Sequence, residues 1–238
     1  MARMVLVHGA WGNATGWARI LPRLQAAGHA VEAIDLPGHG QSPVPPETVG
    51  QVEYVAYLEE RLLAGPPAML VAHSMGGIVA AQVASRNPGH VTACVFVAAL
   101  LPRDGESLID LIRQQGSEGI QAAVRPGPVP GTTVLDPETA APTLFPDADP
   151  ALARKALAAM SPQSNKAQKD PAVIGPGFAS VPRAYVFCEQ DRVVTPALQR
   201  RMVAATPCDV TISLPCGHVP QLTQPGALAD FLLRIARA

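Results

Sequence analysis

An excess of charge of either sign is missing from this chain. Its 238 residues carry 18 Lys and Arg against 19 Asp and Glu, a formal net charge of -1. There is accordingly no basic stripe for nucleic acid and no acidic tail, and the expected partner is a small molecule. No apolar run approaches the roughly 20 residues of a membrane span, and the apolar start at Met4 is too short for a signal peptide, so no membrane partner and a cytoplasmic location are expected. Cysteine is scarce. Cys94, Cys188, Cys208 and Cys216 are widely spaced and form no C-x-x-C pair, which speaks against a zinc knuckle or a disulfide framework and for free thiols. Cys94 and Cys188 fall in apolar runs as small hydrophobes, while Cys216 stands out only for lying two residues before His218. The six histidines contain no H-x-x-x-H, so no catalytic metal is expected. Gly38 and Gly40 make a G-x-G without the dinucleotide fingerprint, and no P-loop lysine occurs, so no cofactor is expected.

What the chain does have is alternation. Short runs rich in Val, Leu, Ile and Ala at Met4 to Val7, Ala30 to Ile34, Ala68 to Ala72, Val91 to Ala98, Arg183 to Cys188 and Val210 to Leu214 read as buried strands. Between and after them, Trp17 to Gln25, Gln51 to Leu63, Met75 to Arg86, Pro196 to Ala205 and Pro225 to Arg237 read as helices. Leu228, Phe231, Leu232 and Ile235 share one face of the last, and Thr195 with Pro196 makes a cap-and-start signal. Strand then helix, repeated, predicts a mostly parallel six-stranded sheet covered by helices on both faces, in one domain spanning 1–238. From about 102 to 182 no strand is legible, prolines recur, and helical pieces are expected at Leu108 to Gln115 and Ala151 to Met160. A loop of that length is implausible, so a helical cap inserted over the strand ends is expected. Leu144, Phe145 and Met160 from this cap either line a substrate pocket or pack the cap onto the core.

The stretch "VAHSMGG" places Ser74 where a buried strand turns into a helix. In an open parallel sheet ligands bind beyond the carboxyl ends of the strands, so such a turn presents its hydroxyl to that site. Strand and helix backbones nearly touch there. Small residues are required, and Ala72, Gly76 and Gly77 supply them. This is the G-x-S-x-G nucleophile elbow with alanine at the first glycine; the competing reading is a serine that merely caps the helix. A serine nucleophile needs a base and a group to hold that base. "EQDRVVTP" puts Asp191 just past the fifth strand, and "PCGHVPQL" puts His218 just past the sixth. Three suitable residue types after three separate strands, in the order Ser, Asp, His, carry more weight than any one motif.

With those residues in hand, the chain resembles an α/β-hydrolase over nearly its whole length. "VLVHGAWGNATGW" and "AAGHAVEAIDLPGHG" are similar to the branch of small plant methyl esterases and hydroxynitrile lyases with their bacterial relatives. The resemblance implies that the Ala10 amide, from the H-G-A loop, joins the Met75 amide in binding the oxyanion, and that the acid lies a few residues past its strand with a proline shortly after. That favours Asp191 over Glu189. Two fixed amide donors at a developing oxyanion are also what ester attack demands, each worth about 10²- to 10³-fold in rate. Met75 opens a helix, whose dipole has the helpful sign.

Some lyases of the branch carry threonine after the first-loop histidine and lysine after the catalytic one. Here those places hold Gly9 and Val219, and valine cannot receive departing cyanide. "DLPGHGQS" departs from the plant pattern toward hydrolases that include lactonases and carbon–carbon bond hydrolases. Asp35 and His39 within it are expected to hold a turn and cap a helix. His8 and His73 are expected to shape the loop and elbow, Trp11 and Val219 to wall the pocket near Ala10, and Trp17 to anchor its helix. The expected enzyme is a serine carboxylesterase acting on a small-molecule ester through an acyl-serine, as monomer or homodimer, with activity falling as pH drops through roughly 6 to 7. A hydroxynitrile lyase-like or biosynthetic lyase or cyclase using histidine as acid and base, a lactonase, and a non-enzymatic ligand binder stay open as alternatives.

Overall fold

The protein's structure, a computed structural model, describes residues 1–116 and 119–237. Its strands are β1 (Arg3–Val7), β2 (Ala30–Ile34), β3 (Ala68–His73), β4 (Val91–Val97), β5 (Val124–Pro126), β6 (Thr132–Leu135), β7 (Gln163–Ser164), β8 (Arg183–Cys188) and β9 (Val210–Leu214). Its helices are α1 (Leu21–Ala26), α2 (Gln51–Leu63), α3 (Gly76–Arg86), α4 (Leu108–Arg113), α5 (Pro137–Leu144), α6 (Pro150–Ala158), α7 (Asn165–Lys169), α8 (Pro196–Ala205), α9 (Pro220–Thr223) and α10 (Pro225–Ile235). The six strands expected from the apolar runs form one sheet in the order β2-β1-β3-β4-β8-β9, with every neighbouring pair parallel.

Side chains alternate across that sheet. Val5, Val7, Leu70, Ala72 and Phe96 pack with Tyr54 and Leu58 of α2 and Ile78 of α3. Met4, Leu6, Met69, Val71 and Val95 turn the other way, onto Trp17, Leu24, Leu228 and Leu232. Both faces of the central strands are therefore buried, each such Val, Leu, Ile, Phe or Met side chain contributing about 1.5–3 kcal/mol. Thr195 Oγ accepts from the Leu198 amide and Pro196 opens α8, the start that the Thr-Pro pair predicts. Trp17, expected to begin the first helix, instead closes a one-turn 3₁₀ helix over Ala14–Trp17, and α1 starts only at Leu21. Asn13 caps that turn by accepting from Thr15.

The segment between β4 and β8 corrects the expectation of an all-helical cap. Besides α4 to α7 it holds an antiparallel three-stranded sheet in the order β5-β6-β7. Strands of two to four residues are too short to show alternation, and Pro126 is tolerated because β5 is an edge strand. The segment grips the loop after β1: the Ser161 amide donates to the Trp11 carbonyl at 2.8 Å, and Trp11 donates in turn to the Gln163 side chain at 3.3 Å. It therefore reaches the carboxyl ends of the strands. Among the described residues no helix is long and apolar enough to cross a membrane.

Candidate active site

Strand order reverses between β1 and β3, and the loops leaving their carboxyl ends flank the crevice that this reversal opens. Ser74 follows β3 with φ of 53°, the left-handed region that non-glycine residues seldom adopt. The turn survives because its neighbours are small. A Cβ on Gly76 would stand 2.6 Å from the His8 carbonyl oxygen, and one on Gly77 2.3 Å from that of Leu100. A Cβ on Gly9 would stand 2.6 Å from the Ser74 Cβ. The elbow is also tied down by its own carbonyl, which accepts from the Gly77 and Leu100 amides at 3.0 Å each.

Three loops converge on this hydroxyl. Ser74 Oγ lies 3.0 Å from His218 Nε2, and His218 Nδ1 lies 2.8 Å from Asp191 Oδ2. All three are buried. The Asp191 carboxylate is saturated: Oδ1 accepts from the Val193 and Val194 amides at 2.7 and 3.0 Å, and Oδ2 accepts from Gln199 Nε2 at 3.1 Å. With Asp191 accepting from Nδ1–H, the His218 tautomer leaves Nε2 free to take the serine proton. His73 donates from Nε2 to the His218 carbonyl at 2.8 Å and so fixes the backbone of that loop. Glu189, the rival acid, pairs instead with Arg200 at 2.7 Å on the surface, which depresses its pKa.

The loop after β1 brings Ala10 to the same crevice. Neither the Ala10 nor the Met75 amide donates to any described residue. The Gly9–Ala10 peptide plane is oriented from its other end: the Gly9 carbonyl accepts from His8 Nδ1 at 2.8 Å and from the Gly12 amide at 3.1 Å. A trans peptide holds its N–H opposite its C=O, so these bonds aim the Ala10 N–H. His8 takes that tautomer because Nε2 accepts from the Leu36 amide at 3.1 Å, and burial pushes its pKa down to about 4, keeping it neutral. Asp35 holds its turn by accepting from the Ala14 and Gln41 amides. His39, expected at the same turn, reaches away from it to the Gly12 carbonyl and the Tyr54 hydroxyl.

A cavity of about 490 Å³ lies between the loop after β1 and the inserted segment. Its lining includes Gly9, His73 and Val219, the chain neighbours of Ala10, Ser74 and His218, together with Leu144, Phe145 and Met160 from the inserted segment. The Ser74 hydroxyl itself does not border it. Trp11 stands outside that lining, with its indole nitrogen donating to Thr133 Oγ1 of β6 at 3.2 Å, while Trp17 lines the cavity. Cys216 packs against Cys188 with the sulfurs 3.6 Å apart. Gln199 and Gln163 escape sequence reasoning because no local pattern marks a glutamine whose partners lie on other elements. Among the described residues no cluster of three His, Cys, Asp or Glu could hold a metal.

A hydroxyl, an imidazole and a carboxylate in series at the switch point of a parallel sheet define a hydrolytic enzyme of the α/β class. The chain belongs to the alpha/beta hydrolase family, whose pattern matches residues 4–231, and within it to the esterase and methylesterase branch. It is 31% identical to esterase PIR7B of Oryza sativa subsp. japonica over 98% of this chain and 94% of that one. It is 28% identical to methyl jasmonate esterase 1 of Vitis vinifera over 98% and 96%. Among solved structures, polyneuridine aldehyde esterase superposes with a TM-score of 0.87 at 25% identity, covering 99% of both chains. A pyrethroid hydrolase from Sphingobium faniae, 24% identical with a TM-score of 0.86 over 100% and 98%, shares the fold.

Proposed function

We propose that this enzyme hydrolyses a small carboxylic ester through an acyl-serine on Ser74. The observation that carries the reading is the unbroken series from Ser74 Oγ to His218 to Asp191, at 3.0 and 2.8 Å. His218 removes the Ser74 proton as the hydroxyl attacks the ester carbonyl. The Ala10 and Met75 amides, both without a described protein acceptor, receive the oxyanion. His218 then protonates the leaving alcohol, and a water molecule activated by the same imidazole releases the acid. Residues 102–182 act as a cap within a single hydrolase domain, and the cavity they share with Gly9, His73 and Val219 takes the apolar part of the substrate. Ester names among the relatives support this choice of bond.

Gly9 and Val219 disfavour cyanohydrin cleavage. A side chain at position 9 would collide with the Ser74 Cβ, and Val219 offers departing cyanide no positive charge. The test is a panel of 4-nitrophenyl and methyl esters, lactones and cyanohydrins with wild type and Ser74→Ala. Ester turnover that vanishes in a folded Ser74→Ala protein is the expected result. Turnover that survives the substitution overturns the nucleophile, and cyanohydrin cleavage exceeding ester cleavage overturns the reaction.

A further inference from the structure

Trp11 and Gly12 are consecutive in the loop that carries Ala10, and one unidirectional hydrogen-bond circuit begins on the first and ends on the second. The Trp11 amide donates to Gln163 Oε1 at 3.3 Å, and Gln163 Nε2 donates to the Tyr54 hydroxyl oxygen at 3.2 Å. The Tyr54 hydroxyl donates to His39 Nε2 at 3.0 Å, and His39 Nδ1 donates to the Gly12 carbonyl at 2.9 Å. Its polarity is forced. A backbone amide only donates and a carbonyl only accepts, so Gln163 must turn its oxygen to Trp11 and its nitrogen to Tyr54. The single Tyr54 proton is then left for His39.

Gln163, Tyr54 and His39 come from β7, α2 and the loop after β2, and each is at most 1% exposed. Burial and the neighbouring His8 push the His39 pKa down to about 3, so the ring stays neutral and the circuit keeps its direction. What it encloses is strained. Trp11 has φ of 57°, a conformation that a bulky residue keeps only where its surroundings over-determine it.

We propose that Gln163, Tyr54 and His39 are positioning residues for the oxyanion site: they hold Trp11 in its left-handed conformation and thereby hold the adjacent Ala10 amide on target. The inference rests on the reading of Ala10 as an oxyanion donor. It also makes the inserted segment part of the machinery, because Gln163 and the neighbouring Ser161 amide both bind Trp11, so the oxyanion loop is set only when residues 161–163 are seated on it.

The experiment compares Gln163→Leu, Tyr54→Phe and the double variant on 4-nitrophenyl acetate, with inhibition by a trifluoromethyl ketone, whose carbonyl carbon takes the Ser74 oxygen to form a hemiketal that carries an oxyanion while His218 holds the serine proton. Each single variant is expected to lower kcat by about 10- to 100-fold, the scale of a misplaced catalytic group, with KM within about twofold. Ketone affinity falls in step. The double variant loses no more than the worse single one, because the two act in series. Folded variants that keep kcat within about twofold, or losses confined to KM or that multiply in the double variant, overturn the proposal. Should Gln163→Leu fail to fold, Tyr54→Phe removes one oxygen atom and keeps the test. Ser74→Ala separates the two readings: turnover lost there but untouched in Tyr54→Phe sinks the circuit alone, whereas turnover surviving in Ser74→Ala sinks both.

Discussion

The side-chain nitrogen of Gln199 donates to Asp191 Oδ2 at 3.1 Å from beneath, on the oxygen that faces His218. Gln199 is fully buried and also donates to the Val194 carbonyl at 2.7 Å, while its oxygen accepts from the Cys188 amide at 3.0 Å. One glutamine thus ties the end of β8, the acid loop and α8 together under the carboxylate.

Removing it leaves several buried groups without partners. Gln199→Leu is expected to destabilise the fold by about 2–5 kcal/mol, since each orphaned buried polar group costs roughly 1–3 kcal/mol. Urea denaturation checks this, and kcat on an activated ester should fall with it. A variant as stable and as active as wild type would show that Asp191 does not depend on this support.

Asp191→Asn keeps the shape but no longer holds His218 in the tautomer that leaves Nε2 unprotonated. The expected loss in kcat is on the order of 10⁴-fold with the structure unchanged. Glu189→Gln, which removes the charge from the surface pair with Arg200, should stay within about twofold of wild type, as surface pairs contribute little. Steady-state kinetics on both variants decides between the two acids.

Glycine is required at position 9 by contact. Its missing Cβ would lie 2.6 Å from the Ser74 Cβ and 3.2 Å from the His73 carbonyl oxygen and Nδ1. Gly9→Ala is expected to displace the serine and lower kcat by about 100-fold, as a shift near 1 Å does elsewhere. Gly89→Ala, whose Cβ meets nothing within 4 Å, serves as the neutral comparison.

Stability should fall on mild acidification. His8 and His39 are pushed down to about 4 and about 3 by burial, and His73 is lowered well below the ordinary value by the same cause. In the unfolded chain these rings protonate near 6.5, so between about 6.5 and 4 the unfolded state binds more protons and stability rises with pH. Each ring contributes a slope of about 1.4 kcal/mol per pH unit there. Urea midpoints measured from pH 7 down to 4.5 check this, and His8→Asn should flatten the slope by one ring's share. A midpoint independent of pH across that window would mean these rings are not buried neutral.

Much of the sheet was legible because its code is local. β2, β8 and β9 begin and end where their apolar runs do, and α2 and α8 do likewise, since periodicity and caps act between residues a few positions apart. The start of α1 was not legible: Trp17 fits a helical pattern, yet Asn13 caps a separate turn before it. β5 to β7 were not legible either, being shorter than any window in which alternation shows. Nor was the bond from the Trp11 indole to Thr133, 122 positions away, legible in any local pattern.

By itself the sequence determined that Ser74, Asp191 and His218 each follow the carboxyl end of a strand, because the strands and turns that put them there are written in neighbouring residues. Only the tertiary structure decided that His218 reaches Asp191 and not Glu189, and that Gln163 closes on Trp11 across 152 positions. Hydrogen bonds are short and directional. Whether two distant groups meet within 3 Å depends on how sheet, helices and inserted segment pack, and no local pattern encodes that distance.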